Sequence, residues 1–220
     1  IYGNCRLVSE TTKFAMPETA IGFFPDVGAS HFLSKLDNGI GLFLGLTGKI
    51  CNAKDLMVFG LATHYLPQNM INKTIENYIS GKECINGNHF PTLSSDILDH
   101  RNFIEDTFIG NIQSIMKKLK NSALPFAKKI YDHLLTRCPM SLAVTTELLH
   151  QAKSKNLKKC LKMEYQLCQK MVYRKDFNNG VDAVLVSKTN SPIWSPSSIY
   201  DINIDEVKKL FHPHIKELEF

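Results

Sequence analysis

No run of about 18 apolar residues occurs anywhere in the sequence, so no segment of it suits a helix crossing a bilayer. No C-x-x-C pair occurs either. The six cysteines (Cys5, Cys51, Cys84, Cys138, Cys160 and Cys168) are scattered along a chain of 220 residues that needs no staples. That excludes a compact cysteine zinc module and fits free thiols in a reducing compartment. Walker and dinucleotide glycine motifs are absent, and so is the G-x-S-x-G elbow: Ser30 and His31 are adjacent, and neighbours on a helix point in different directions. His212 and His214 stand alone near the end, with no acidic or cysteine partner beside them to complete a metal site. There is no internal repeat. An opening methionine and a charged-then-apolar signal are also missing, and Ile1-Tyr2-Gly3 reads as the inside of a structural element. The expectation is a piece of a longer product.

What is present is an ordinary globular composition, 44% hydrophobic and 21% charged, enough to bury a large core. The 26 basic and 21 acidic side chains leave a net charge of +5. Lysine groups such as 117, 118 and 120, or 153, 155, 158 and 159, are more often solvated helix faces than anion sites. No aromatic residue alternates with them as a single-strand platform requires, so neither a nucleic-acid nor a membrane partner is expected.

Along the chain, residues 4–15 mix β-branched and polar residues in rough alternation and predict one or two short strands ended by Pro17. Helices are predicted over residues 28–36, stopped by Gly39, over 40–46, and over 52–59, where Asn52 is an N-cap, Asp55 an acid in the first turn and Gly60 a left-handed stop. LATHYLP, residues 61–67, reads as a strand, giving an α/β alternation. A helix follows over 68–80. Residues 81–102, rich in glycine, asparagine, proline and serine, form the candidate linker. Beyond it, apolar residues recur at helical spacing through residues 103–175, with Pro139 suited to a first helical turn. Trp194 is expected to anchor the proline- and serine-rich exit.

Three carboxylates stand out because they lie in apolar surroundings. Glu18 and Asp26 are eight residues apart in FAMPETAIGFFPDVGAS, and Glu164 shares a helix face with Leu157, Leu161, Cys168 and Met171. If Glu18 and Asp26 converge beside a wall made of Phe14, Met16, Ile21, Phe23 and Phe24, burial and mutual repulsion raise at least one pKa toward neutrality, and the pair becomes an acid/base couple. The competing reading is capping, Asp26 for the helix near Gly28 and Glu18 for backbone amides of its own turn. Both readings stand on these residues alone. For Glu164 a structural carboxylate, paired with a lysine, an arginine or backbone amides, is the expectation.

KFAMPETAIGFFPDVGASHFLSKL, followed by GLFLGLTGKICNAKDLMVFGLATHYLP, resembles the crotonase superfamily and, within it, the 3-hydroxyisobutyryl-CoA hydrolases. MPETAIGxFPDVG is the specific mark, with Asp26 where the hydratases of the superfamily usually carry glycine. PMSL, KMEYQL, DFNNGVDAVLVSK and SPIWSP extend the resemblance to about residue 211. Ala29, where the hydrolases usually have glycine, departs from it.

The resemblance implies a crotonase-like (ClpP/crotonase) α/β fold: the C-terminal portion of the ββα spiral core over residues 1–80, the linker at 81–102, and a helical region over 103–220. It implies hydrolysis of 3-hydroxyisobutyryl-CoA in valine breakdown, in mitochondria, with no metal and no cofactor beyond the CoA of the substrate. Glu18 and Asp26 match the family's catalytic and substrate-binding acids. The alternatives are an enoyl-CoA hydratase or isomerase of the same fold, a non-catalytic interaction module, and a cytoplasmic location; homo-oligomerisation stays open. The superfamily's oxyanion donors are expected upstream of Tyr2-Gly3, and without them these residues alone are expected to turn over poorly.

Overall fold

In the computed structural model, residues 1–82, 91–213 and 216–219 are described. The chain folds as two compact units, each discontinuous in sequence: residues 1–15 with 50–101, and 16–49 with 102–220. Cys84 and His214, named above for thiol and histidine chemistry, lie outside the described residues, as do residues 83–90 of the candidate linker. The remainder of that stretch is more regular than its composition predicts, since helix α5 (Asp96–Asp99) lies within it and α6 (Arg101–Thr107) starts in it.

The first unit is built on two very short parallel strands, β1 (Leu7–Val8) and β2 (His64–Tyr65), paired Leu7 with His64 and Val8 with Tyr65. The expected strands at 4–15 and 61–67 are real but contract to two residues each. Arg6 holds the crossover closed, its Nε donating to the Leu61 carbonyl at 2.9 Å. Helix α3 (Ala53–Val58) begins in the predicted way: the Asn52 side chain accepts from the amides of Lys54 and Asp55, and Asp55 accepts from the Asn52 amide at 2.8 Å, closing a capping box. Asp55 is buried, and the Ser95 hydroxyl donates to its other oxygen. After a 3₁₀ turn at Gln68–Met70, α4 (Ile71–Ile79) completes the unit's long elements.

The second unit is helical. Its first segment makes a 3₁₀ turn, Glu18–Ile21, then α1 (Ala29–Leu33) and α2 (Ile40–Thr47). Helix α1 is shorter than predicted, because the chain from Ser34 onward takes up turns before Gly39, φ 77°, starts α2. Helix α2 is buried at every position but Leu42, so its partners must surround it. Gly41 is required there, since a Cβ would stand 1.9 Å from the Leu33 carbonyl oxygen.

The remaining helices are α7 (Ile112–Asn121), α8 (Pro125–Leu135), α9 (Pro139–Ala152), α10 (Leu157–Met171), α11 (Lys175–Val181) and α12 (Ile204–Leu210), with a π-helical turn at Asp182–Val186. Ile112, Ile115, Met116 and Leu119 form the buried stripe of α7. Helix α9 is nearly all buried and packs on α2, whose Phe43 also meets Phe108 edge to face at 5.1 Å. Trp194 does anchor the exit: its indole nitrogen donates to the Thr136 carbonyl at 3.2 Å.

Candidate active site

Glu18 opens the 3₁₀ turn directly after Pro17, and the turn is pinned on three sides. The Thr19 hydroxyl donates to the Leu46 carbonyl at 3.0 Å, and the Cys138 amide donates to the Thr19 carbonyl at 3.0 Å. On the third side α11 approaches backbone to backbone, for a Cβ on Gly180 would lie 2.4 Å from the Ile21 carbonyl carbon and one on Gly22 2.4 Å from the Asp176 carbonyl oxygen. The turn therefore has no room to swing, and Glu18 projects from a fixed base.

Phe23 and Phe24, stacked at 4.4 Å, and Met16 are buried in this segment, and Phe23 also meets Phe177 at 5.3 Å. Phe14, which the sequence offered for the same wall, forms a backbone bridge with Cys51 within the first unit. Burial in apolar surroundings pushes the Glu18 carboxyl from 4.5 up to about 7, against a backbone hydrogen bond that lowers it and with a further push from the Asp26 charge. Its Oε2 is buried without a hydrogen-bond partner. A carboxylate oxygen placed so is costly unless something else is meant to meet it.

Asp26 ends the Phe23–Pro25 run, half-buried, and burial raises its pKa as well. Its charge reaches Glu18, Glu164 and Cys168, raising all three. The charge of one sequence-predicted acid thus acts on the other. The N-cap of α1 is Gly28; the main-chain oxygen of Asp26 accepts from the Ala29 amide at 2.9 Å, and a backbone hydrogen bond to the Asp26 carboxyl lowers its pKa against the effect of burial.

A side-chain cap comes from Glu164. Its Oε2 accepts from the Gly28 amide at 2.7 Å, and its Oε1 accepts from the Ser30 amide at 2.9 Å and the Ser30 hydroxyl at 2.5 Å. Backbone amides were one of its expected partners. Ser30 as a member of this cluster, and the Gly22–Gly180 approach beneath Glu18, were missed. A glycine at the end of DFNNG and an acid on an apolar stripe were the available signals, but neither states what lies opposite.

A cavity of about 450 Å³ lies away from the acids, lined among others by Lys35, Leu36, Leu42, Phe108 and Lys153. Among the described residues no three histidine, cysteine or acidic side chains group as metal ligands.

The site so built is a pair of half-buried carboxylates, one of which feels the charge of the other, beside a turn held on three sides. The sequence profile of the enoyl-CoA hydratase/isomerase family matches residues 1–211. The chain belongs to that family. Among curated family members it is 34% identical over 97% of its length to the mitochondrial 3-hydroxyisobutyryl-CoA hydrolase of Gallus gallus, and 36% identical over 100% to that of Dictyostelium discoideum. It spans 59% and 62% of the length of those two relatives. Among solved structures of the family, an enoyl-CoA hydratase from Rhodobacter sphaeroides superposes with a TM-score of 0.89 at 28% identity, covering 96% of this chain and 62% of that one. A carnitinyl-CoA dehydratase from Mycobacterium thermoresistibile superposes with a TM-score of 0.91 at 31% identity, covering 99% of this chain and 64% of the other. The fold is therefore the crotonase fold, represented here mostly by helices with a small parallel sheet.

Proposed function

We propose that the protein hydrolyses an acyl-CoA thioester, 3-hydroxyisobutyryl-CoA, with Glu18 and Asp26 as the reacting carboxylates. The observation that carries this reading is the buried, unpartnered Oε2 of Glu18 on a carboxyl whose pKa is about 7. At neutral pH a substantial fraction of it is ionised, poorly solvated and therefore reactive.

Ionised Glu18 either attacks the thioester carbonyl or removes a proton from the water that does. On the first route an anhydride forms as the CoA thiolate leaves, and water then regenerates the carboxylate. On the second the hydroxide adds directly. Both routes release one acid and one thiol and consume one water. Asp26 positions the hydroxyl of the substrate, or the water, and returns the proton. Each step as written uses carboxylates and water, so a chelator is expected to leave the rate unchanged. The names of the relatives support a mitochondrial site of action, which fractionation of the source cells tests.

The second reading, hydration of an enoyl-CoA, is favoured by the superposition on an enoyl-CoA hydratase. The protein in its longest expressed form, given 3-hydroxyisobutyryl-CoA and crotonyl-CoA separately, distinguishes the two. Thiol release from the first, measured with a chromogenic thiol reagent against the background of the exposed Cys5 and lost in Glu18→Gln, supports hydrolysis. Hydration of the second without thiol release assigns a hydratase, and inertness toward both in a form that carries the upstream oxyanion donors assigns an interaction module.

A further inference from the structure

The segment that carries Asp26 is strained, and a local bond, from the Ala29 amide to the Asp26 carbonyl at 2.9 Å, spans it. Val27 sits at φ 50° and Gly28 at φ 85°, two successive left-handed residues, the first of them β-branched and 73% exposed. A β-branched residue avoids that region, so this turn relaxes unless the surroundings hold it. Helix α1, only five residues long, offers little restraint.

The restraint is Glu164. It is 4% exposed on α10, and its two oxygens take the Gly28 amide, the Ser30 amide and the Ser30 hydroxyl. Among the described residues no lysine or arginine pairs with it, so its charge is answered by these three donors. They bracket the turn immediately after Asp26, and the Ala29 amide between them bonds back to the Asp26 carbonyl.

The three bonds fix the turn that follows Asp26, and so bear on where the Asp26 carboxylate stands; Glu164 is near enough to feel the charge of Asp26. Glutamine cannot replace it: with one acceptor oxygen, its NH2 group turns a donor toward the Gly28 or Ser30 amide.

We propose that Glu164 is a positioning residue for the reaction, locking the Val27–Gly28 turn so that the Asp26 carboxylate is held in its working orientation against Glu18. The proposal rests on Asp26 being a reacting carboxylate. Glu164 itself touches no reacting atom.

The test compares Glu164→Gln, Asp26→Asn, the double variant and Leu167→Ala in the longest expressed form of the protein, by kcat and KM for thioester hydrolysis and by Tm. Misplacing one reacting group by about an ångström is expected to lower kcat about 10- to 100-fold in Glu164→Gln, with KM within about threefold. In the double variant the loss is expected to vanish, the rate equalling that of Asp26→Asn alone, because the group Glu164 positions is already gone. Leu167→Ala opens a cavity on the same helix and loses stability while keeping kcat.

If Glu164→Gln does not fold, Ser30→Ala serves, since it deletes one bond and leaves both amides bound. Its kcat is expected to fall about two- to fivefold, and not at all on the Asp26→Asn background. Unchanged kcat in the folded variant, or losses that multiply in the double variant, overturns the positioning role while leaving Asp26 in place. Full activity in Asp26→Asn removes the reading beneath it.

Discussion

Gly180 on α11 lies against Ile21, the last residue of the turn that presents Glu18, with no space between them for a methyl group: a Cβ would stand 2.4 Å from the Ile21 carbonyl carbon. Gly180→Ala must therefore push either α11 or the turn. Overpacking of this kind is expected to destabilise the protein by about 1–3 kcal/mol, read as a lower urea midpoint. Because the displaced backbone carries Glu18, hydrolysis by the folded fraction is expected to fall as well. Retained kcat at reduced stability would locate the displacement in α11 alone.

Glu18→Gln is expected to abolish thiol release and yet to stabilise the protein at high pH. The folded pKa, about 7, lies above the ordinary 4.5, so between those values the native state keeps a proton that the unfolded chain has released. Wild-type stability therefore falls as pH rises through that window, and the fall is complete above it. The glutamine variant lacks the titration. Its Tm advantage is expected to be near zero at pH 4 and positive at pH 8; an advantage independent of pH would contradict a buried titrating carboxyl.

Asp26→Asn removes a negative charge that raises Glu18. The Glu18 pKa is then expected to drop below 7 but to stay above 4.5, because burial is the larger cause. Carboxylate infrared bands or NMR of labelled glutamate report this directly, even in an inactive variant. An unmoved titration would mean that the two acids do not face each other.

Val27→Gly frees the strained position without losing packing, as the side chain is 73% exposed. A gain of about 0.5–1 kcal/mol is expected, since relief of the left-handed penalty outweighs the added freedom of the unfolded chain. Chemical denaturation measures it. A loss of stability would show that the valine is not strained.

In the first unit, Asn52→Ala removes the acceptor for the amides of Lys54 and Asp55. About 1 kcal/mol of stability is expected to go. Thiol release is expected to persist, because Asn52 is not one of the proposed reacting groups; loss of catalysis in a folded variant would give the cap a part in the reaction.

Local chemistry made much of the fold legible. The capping box at Asn52 and Asp55, the left-handed stop at Gly60, Pro139 at the first turn of α9 and the apolar stripe of α7 follow from rules acting over a few residues, and the structure contains each of them. The strands were over-read. Alternation over residues 4–15 and 61–67 describes how residues face, whereas pairing needs a partner at the right register, and only Leu7–Val8 and His64–Tyr65 have one. Helix α1 was read too long for a similar reason, since spacing does not show where a neighbouring helix will bring its backbone.

The sequence by itself determined which acids stand in apolar company, Glu18, Asp26 and Glu164, because side-chain chemistry and its immediate neighbours are written there. It also carried the family likeness through MPETAIGFFPDVG. Only the tertiary structure decided what each acid meets. Glu18 keeps an unpartnered oxygen, Asp26 acts on Glu18 through its charge, and Glu164 reaches across 136 positions to the Gly28 amide. The physical reason is range: propensities and caps act over a turn or two, while burial, charge coupling and the closing of a strained turn depend on segments that meet only when the helices pack.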